Sequence, residues 1–208
     1  MKIYKDQRIG VLIDVQNLYY SAKNLYHQKV DFEAILKEAI QDRALIRAIA
    51  YVVRAEETKE QTFFDALERI GYEVKAKDLQ IFYGGAKKAD WDVGIAMDAI
   101  ELAPKLDVII LVSGDGDYVP LVQHLRRAFG CRIEGMAFGS STSSKLKEEL
   151  DLFTDLDKNK KYLIKSYPPR PTPQAKTPTS NNKTQAPKPK PPVPGKTPST
   201  NKPKSVKK

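Results

Sequence analysis

The chain has 208 residues, a formal net charge of +9 and a single cysteine. One cysteine excludes an intramolecular disulfide, and the lack of a cysteine–histidine cluster excludes a structural zinc site. No apolar run is long enough to span a membrane, and the N-terminus lacks the apolar core of a signal peptide. We therefore expect a cytoplasmic protein without membrane contact.

The positive charge lies at the C-terminal end of the sequence, in residues 166–208. This stretch holds twelve prolines and ten lysines or arginines but no acid, which leaves 25 basic and 26 acidic residues in 1–165. Because it has too few apolar side chains to offset the entropy lost on ordering, we predict a disordered basic tail after one near-neutral domain. Such a tail would attract RNA, and a solubilising or tethering linker is the alternative. Binding of protein partners through its prolines stays an open alternative.

The first predicted strand, residues 9–15, is apolar and carries Asp14 near its C-terminal end. Asn17 follows as the predicted N-cap of a helix over 18–27. A carboxylate that closes an apolar strand is costly unless it is solvated, paired or bound to a metal. Asp14 is therefore a candidate functional residue.

Residues 31–83 alternate between helical and strand patterns. Such alternation predicts a three-layer α/β/α domain with a mainly parallel central sheet. The expected helices are 32–40, capped by Asp31, and 58–70, ended by Gly71; the expected strands are 44–53, 72–76 and an extra one over 79–83 near the sheet edge. In the helix over 58–70, the residues expected to face the core are Phe63, Phe64, Leu67 and Ile70.

A loop with Lys87 and Lys88 leads into a predicted helix over 93–103. Asp92 ranks first among its acids, at the positive end of that helix. Asp98 points about 120° away from Asp92 and is a flanking acid, while Asp90 fits a plain cap. The helical face expected to be buried consists of Val93, Ala96, Met97 and Ile100.

The most apolar strand, residues 108–112, runs directly into Ser-Gly-Asp-Gly-Asp. Asp115 and Asp117 thus stand at the carboxyl end of a buried strand, where open α/β sheets bind ligands; the alternative is that either acid only caps the next helix. That helix is expected over 118–129, with Val119, Leu121, Val122, Leu125 and Phe129 facing inward. A strand over 131–138 with Cys131 in the core, a polar loop, a helix over 145–150 and a segment to residue 164 complete the domain.

If the sheet is parallel, acids from three places along the chain converge on one edge. Oxygen ligands without His or Cys favour Mg²⁺ or Mn²⁺, and such ions suit phosphate-ester chemistry. Asn17 and Ser113 would orient ligands or water, and Lys87 or Lys88 would approach the phosphate. No Walker loop, dinucleotide fingerprint or Gly-x-Ser-x-Gly elbow is present, which disfavours nucleotide hydrolysis, hydride transfer and serine hydrolysis.

Three ordered motifs resemble the NYN domain family, which is PIN-like, and its bacterial LabA-type branch in particular. The motifs are Ile-Asp-Val-Gln-Asn-Leu at 13–18, Lys-Ala-Asp-Trp-Asp-Val-Gly-Ile-Ala-Met-Asp-Ala at 88–99 and Val-Ser-Gly-Asp-Gly-Asp-Tyr-Val-Pro-Leu-Val at 112–122. The resemblance spans about residues 8–155 and implies a PIN-like fold and a metal-dependent ribonuclease that leaves a 5′-phosphate and a 3′-hydroxyl. It matches the family's site residues to Asp14, Asn17, Asp92, Ser113, Asp115 and Asp117, with Asp98 matching an acid common in the bacterial branch.

The leading hypothesis is therefore an endoribonuclease in which Asp14, Asp92 and Asp115 hold Mg²⁺ or Mn²⁺ and Asp117 completes or supports the site. Its substrate would be single-stranded or structured RNA, which the tail would concentrate. The second hypothesis is a regulatory or RNA-binding module with little turnover. A third is a phosphatase for a small metabolite, which a closed pocket would favour and an open crevice would disfavour. Formation of a homodimer stays an open alternative.

Overall fold

The computed structural model describes residues 4–54, 57–81, 87–88 and 90–164. The predicted basic tail, 166–208, lies outside these residues, so its disorder stays a prediction. No helix in the described ranges is both long and apolar enough to cross a membrane. The expected cytoplasmic location also stays a prediction.

The described chain contains ten strands and six α-helices, joined by short 3₁₀ turns. The strands are β1 (Arg8–Asp14), β2 (Lys29–Val30), β3 (Ala44–Arg54), β4 (Glu73–Asp78), β5 (Gln80–Ile81), β6 (Lys87–Lys88), β7 (Val108–Val112), β8 (Arg132–Ala137), β9 (Leu152–Asp155) and β10 (Leu163–Ile164). The helices are α1 (Val15–Tyr26), α2 (Phe32–Ile40), α3 (Glu57–Ile70), α4 (Asp92–Leu102), α5 (Val119–Phe129) and α6 (Ser144–Glu149).

Six strands form one sheet in the order β4-β3-β1-β7-β8-β9, and every neighbouring pair is parallel. The predicted α/β fold with a mainly parallel sheet is thus confirmed. β1 and β7 are neighbours at the centre, with Ile13 opposite Val112, so the residues that follow both strands meet at the same edge. We call this edge, where the six strands end, the carboxyl edge.

Alternation along β1 shows how the sheet separates two cores. Val11 and Ile13 are fully buried on the side covered by α1, α2 and α3. Leu12, between them in sequence, is buried on the other side, under α4 and α5. Because successive side chains of a strand point to opposite faces, an apolar run without alternation is typical of a strand covered on both sides.

Two parts of the sheet were not predicted correctly. β9 is a sixth strand that pairs with β8 at the far edge, where the sequence analysis predicted no strand. Its side chains are only half-buried, so the apolar signal of this strand is weak. Of the extra strand predicted over 79–83 near the sheet edge, β5 pairs with β6 in a separate antiparallel ribbon, and residues 82–83 lie outside the described residues.

The predicted buried face of α4 is only half correct, because Ala96 and Ile100 pack against the core but Val93 and Met97 do not. Val93 and Met97 are 74% and 62% exposed, whereas Ile95, Ala99 and Leu102 are buried against the sheet. Apolar residues occur nearly all around this helix, so its sequence does not indicate which side contacts the sheet. The choice is made by tertiary contacts near Asp92.

Two phenylalanines predicted to face the core lie instead at its rim. Phe63 of α3 is 36% exposed and packs beside Phe32, with ring centroids 5.6 Å apart. Phe129, the last residue of α5, is 38% exposed. Cys131 is buried, as predicted for a small core residue.

Candidate active site at the carboxyl edge of the sheet

Asp14 ends β1 and at the same time caps α1. Its carboxylate accepts a hydrogen bond from the backbone N–H of Asn17 at 3.0 Å, so α1 begins at Val15, three residues earlier than predicted. Asn17, predicted as the cap, lies inside the helix, and its side-chain oxygen accepts from the backbone N–H of Gly114 at 3.0 Å. This bond ties the start of α1 to the loop that follows β7.

Ser113 and Asp115 shape that loop by bonding to its own backbone. The buried Ser113 hydroxyl accepts from the backbone N–H of Asp115 at 3.3 Å, and the Asp115 carboxylate accepts from that of Asp117 at 3.0 Å. Asp115 thereby caps a 3₁₀ turn, Gly116–Tyr118, that precedes α5. The capping role weighed against a functional one is real for both Asp14 and Asp115, and each keeps carboxylate oxygen capacity for a further ligand.

The glycines of this loop pack closely against the polar loop after β8. A Cβ placed on Gly114 would lie 2.9 Å from the Thr142 hydroxyl oxygen, and one on Gly116 would lie 2.8 Å from the Ser143 hydroxyl oxygen. The backbone N–H of Ser143 donates to the carbonyl of Gly114 at 3.0 Å. A cleft of about 490 Å³, open to solvent, lies between the two loops. It is lined by Asn17, Gly114, Asp115, Gly116 and Ser140, Ser141, Thr142 and Ser143.

Asp92 reaches the same edge from the first turn of α4. Its carboxylate accepts a hydrogen bond from the hydroxyl of Tyr118 at 3.1 Å. Tyr118 is 2% exposed, so this bond joins α4 to the turn after β7 inside the protein. Trp91 occupies the N-cap position of α4 without a side-chain capping bond, so Asp90 is not the cap that was predicted.

Two further contacts hold α4 against β3 and β4. The indole N–H of Trp91 donates to the carbonyl of Val52 at 2.8 Å. Asp98 lies on another face of α4. Its carboxylate accepts a hydrogen bond from the Tyr51 hydroxyl at 2.7 Å and forms an ion pair with the Lys75 ammonium at 2.7 Å. These bonds lower the pKa of Asp98 despite its partial burial. Its charge is neutralised locally, which identifies Asp98 as an anchor of α4.

The acids of the edge are electrostatically coupled. The pKa of Asp14 is raised to about 6, chiefly by burial and also by the charges of Asp92 and Asp115, while backbone N–H groups of α1 oppose this rise. Burial also raises the pKa of Asp92, and Asp115 and Asp117 contribute in the same direction. The pKa of Tyr118 is raised by burial and then by Asp14, Asp92 and Asp115. Four of the predicted acids thus interact at one place.

The donor set and its geometry give different answers on metal binding. Carboxylates that raise one another's pKa are relieved by a divalent cation, and an all-oxygen set suits Mg²⁺ or Mn²⁺. Yet in the ranges that the structure describes, no three His, Cys, Asp or Glu side chains stand close enough to hold one ion together. The chemistry of the site fits a hard cation, and the carboxylates would have to draw closer to bind it.

Two residues that the sequence analysis missed, Lys77 and Tyr118, lie at this edge, whereas the predicted basic residues stay untested. The side chains of Lys87 and Lys88 lie outside the described residues, so their predicted approach to a phosphate stays untested. Lys77, at the end of β4, donates to the carbonyl of Asp90 at 3.2 Å and brings a cation to the start of α4. Neither Lys77 nor Tyr118 was singled out from the sequence, although each lies at a strand end or directly follows the Gly-Asp-Gly-Asp motif.

Comparison with known proteins finds a family model, a named relative and a solved structure that resemble this chain. The sequence model of the NYN domain family matches residues 8–157. The low amplitude and bright protein LabA of Synechococcus elongatus is 25% identical over 177 residues, which cover 81% of this chain and 94% of LabA. A crystal structure of a Vibrio parahaemolyticus protein of unknown function has 33% identity and a TM-score of 0.72, and the match covers 79% of this chain and all of that one.

Proposed function

The chain belongs to the NYN domain family, and from this premise we propose that it is a metal-dependent ribonuclease that hydrolyses RNA phosphodiester bonds. The observation that carries the proposal is the convergence of Asp14, Asp92 and Asp115 on the carboxyl edge. Asn17 ties the start of α1 to the loop after β7, and Tyr118 ties α4 to the turn that Asp115 caps. Partly buried carboxylates gathered at one edge of a sheet are costly for a scaffold, and they are useful for holding a cation.

Asp14, Asp92 and Asp115 would hold the ion, with Asp117 completing or supporting the set. A bound Mg²⁺ or Mn²⁺ supplies charge neutralisation at the phosphoryl oxygens and makes water a stronger nucleophile at neutral pH. Tyr118 orients the Asp92 carboxylate by donating to one of its oxygens.

Asn17 and Ser113 would position the substrate and the attacking water. Asn17 and Ser113 hold the loop after β7 in place through their hydrogen bonds to its backbone. Lys77 would contact the phosphate backbone from the β4 side, and Lys87 and Lys88 are proposed for the same role. The products would carry a 5′-phosphate and a 3′-hydroxyl.

The shape of the cleft favours RNA over a small phosphorylated metabolite. The space between the loops after β7 and β8 is open to solvent along its outer side, with Asp115 on its wall. An open crevice admits a polymer that continues beyond the reacting phosphate, whereas a metabolite phosphatase needs a pocket that encloses its substrate.

A regulatory RNA-binding module with little turnover is the second candidate. It is favoured by one observation: within the described ranges, the carboxylates are not assembled into a group that could hold an ion. If RNA binding does not draw them together, the protein would bind RNA without cutting it.

Cleavage of end-labelled RNA tests both candidates. Full-length protein is incubated with single-stranded and hairpin RNAs in Mn²⁺, Mg²⁺ or EDTA, beside Asp14→Asn, Asp92→Asn and Asp115→Asn. Asp14, Asp92, Asp115 and Asp117 are called the acid cluster. Asp31→Asn is the matched control, because Asp31 caps α2 as Asp14 caps α1 but lies outside this cluster. We expect metal-dependent cleavage that falls at least about 100-fold in the three edge variants and is unchanged in the control.

Two other results would reverse this conclusion. Cleavage that survives in EDTA, or that all variants perform equally, would show that these acids do not form the active site. RNA binding without cleavage under either metal would favour the regulatory module.

A further inference from the structure

The outward face of α1 carries an aromatic and basic surface beside the acid cluster. Residues Gln16, Tyr19, Tyr20 and Lys23 follow the spacing i, i+3, i+4, i+7 and therefore share one side of the helix. The opposite side, with Val15, Leu18 and Ala22, is buried in the core. We call the outward set the tyrosine face.

The two rings of the tyrosine face are exposed and in mutual contact. Tyr19 is 45% exposed and Tyr20 is 53% exposed. Their ring centroids lie 5.3 Å apart with the planes at 74°, and the Lys23 ammonium lies 5.6 Å from the Tyr19 centroid. Exposed rings beside a cation form the kind of surface on which unpaired bases stack.

The charge of this segment complements a nucleic acid. Residues 15–30 contain Lys23 and Lys29 and no acid, although the segment begins immediately after Asp14. A protein ligand with charges of both signs could bind a surface that contains acids. A phosphate backbone is repelled by acidic side chains, so a surface without acids suits it better. The charge pattern therefore favours RNA as the occupant of the tyrosine face.

The tyrosine face begins within two turns of Asp14 along α1. At 1.5 Å per helical residue, Tyr19 and Tyr20 lie about 8–9 Å beyond Asp14 along α1. This distance corresponds to two or three stacked nucleotides at about 3.4 Å each. The Ser141 hydroxyl donates to that of Ser21 at 2.9 Å, which fixes this part of α1 to the loop that lines the cleft.

We propose that Tyr19 and Tyr20 form a base-stacking subsite for single-stranded RNA, two or three nucleotides from the phosphate at the acid cluster, with Lys23 contacting the backbone. The choice of RNA as ligand rests on the proposed function. Because bases inside a duplex are already stacked, the subsite selects unpaired segments.

Fluorescence anisotropy with full-length protein in EDTA tests this subsite without hydrolysis. The probes are a labelled oligouridine, an abasic oligomer with the same ribose-phosphate backbone, and an RNA duplex. The variants are Tyr19→Ala/Tyr20→Ala and the ring-preserving Tyr19→Phe/Tyr20→Phe. Tyr4→Ala is the matched control, since Tyr4 is 60% exposed and precedes β1, at the opposite edge of the sheet.

We expect the double alanine variant to bind oligouridine at least about tenfold more weakly, because stacking on an aromatic side chain changes affinity by about 5- to 150-fold per base. Binding of the abasic oligomer and of the duplex should stay within about twofold. The phenylalanine and Tyr4 variants should bind oligouridine like the wild type.

The subsite is refuted if the alanine variant keeps its affinity for oligouridine, if the abasic oligomer loses as much, or if the phenylalanine variant behaves like the alanine one. It is also refuted if alanine substitution only converts a dimer into a monomer, which would make this face a protein interface. Cleavage is measured separately in Mn²⁺. Ring-dependent binding without cleavage would refute the ribonuclease alone, and cleavage that is insensitive to the rings would refute the subsite alone.

Discussion

Replacing Asp14 by asparagine is expected to stabilise the protein in EDTA at pH 8. In the folded chain the pKa of this carboxyl is raised from 3.8 to about 6, chiefly by burial. Well below pH 4 both folded and unfolded chains hold the proton, so the group costs nothing. Between about pH 4 and 6 the unfolded chain releases the proton while the folded chain keeps it, so stability falls with rising pH; above about pH 6 both are ionised and the loss stays constant.

The raised pKa corresponds to a loss of about 3 kcal/mol at pH 8 and about half of that at pH 5. Asparagine removes the charge and keeps the oxygen that accepts from Asn17, so the cap survives. It forfeits about 0.3–1 kcal/mol of charge–dipole attraction at the start of α1. The net gain at pH 8 is about 2 kcal/mol, or roughly 4–8 °C in Tm for a chain of this size.

Urea and thermal unfolding at pH 5 and pH 8, followed by circular dichroism in EDTA, measure this gain. Asp31→Asn makes the same change at the start of α2, where the carboxylate accepts from Ala34 at 2.9 Å, and should only destabilise slightly. If Asp14→Asn destabilises as Asp31→Asn does, or gains equally at both pH values, then burial and coupling of Asp14 are not the cause.

Three further results are expected. Saturating Mn²⁺ should stabilise the wild type by about 2–3 kcal/mol at 100 times its Kd and leave Asp14→Asn unchanged, as measured by thermal unfolding. Tyr118→Phe should reduce RNA cleavage about tenfold or more by removing a bond to a charged group, and should move the acidic limb of the pH–rate profile upward, because that bond lowers the pKa of Asp92. Gly114→Ala should cost about 1–3 kcal/mol in urea unfolding, since its Cβ would lie 2.9 Å from a Thr142 oxygen; an unchanged midpoint would contradict the close packing of the two loops.

Much of the fold follows from local pattern. The bounds of β7 and α2 agree with prediction, because a run of β-branched residues and a capped amphipathic segment are each specified by neighbours in the chain. β9 escaped prediction because a short, half-buried edge strand lacks the apolar density that identifies a central one.

The site was predictable where it depends on strand ends and less so where it depends on contacts between distant parts of the chain. Asp14 and Asp115 follow apolar strands directly, so their position on one edge could be expected once the sheet was taken as parallel. The neutralisation of Asp98 could not, because its partners Tyr51 and Lys75 come from β3 and β4, far from α4 in sequence. Nor could the bond from Tyr118 to Asp92, which spans 26 residues.

The sequence by itself determined the two periodicities, the acids behind the central strands and the charge difference between domain and tail, because each depends only on residues close together in the chain. Tertiary structure alone decided which side of α4 meets the sheet, which acid is neutralised and which are left coupled, and that Tyr19 and Tyr20 face outward beside them. Each of these depends on which surfaces pack together, and packing is settled by the whole chain at once.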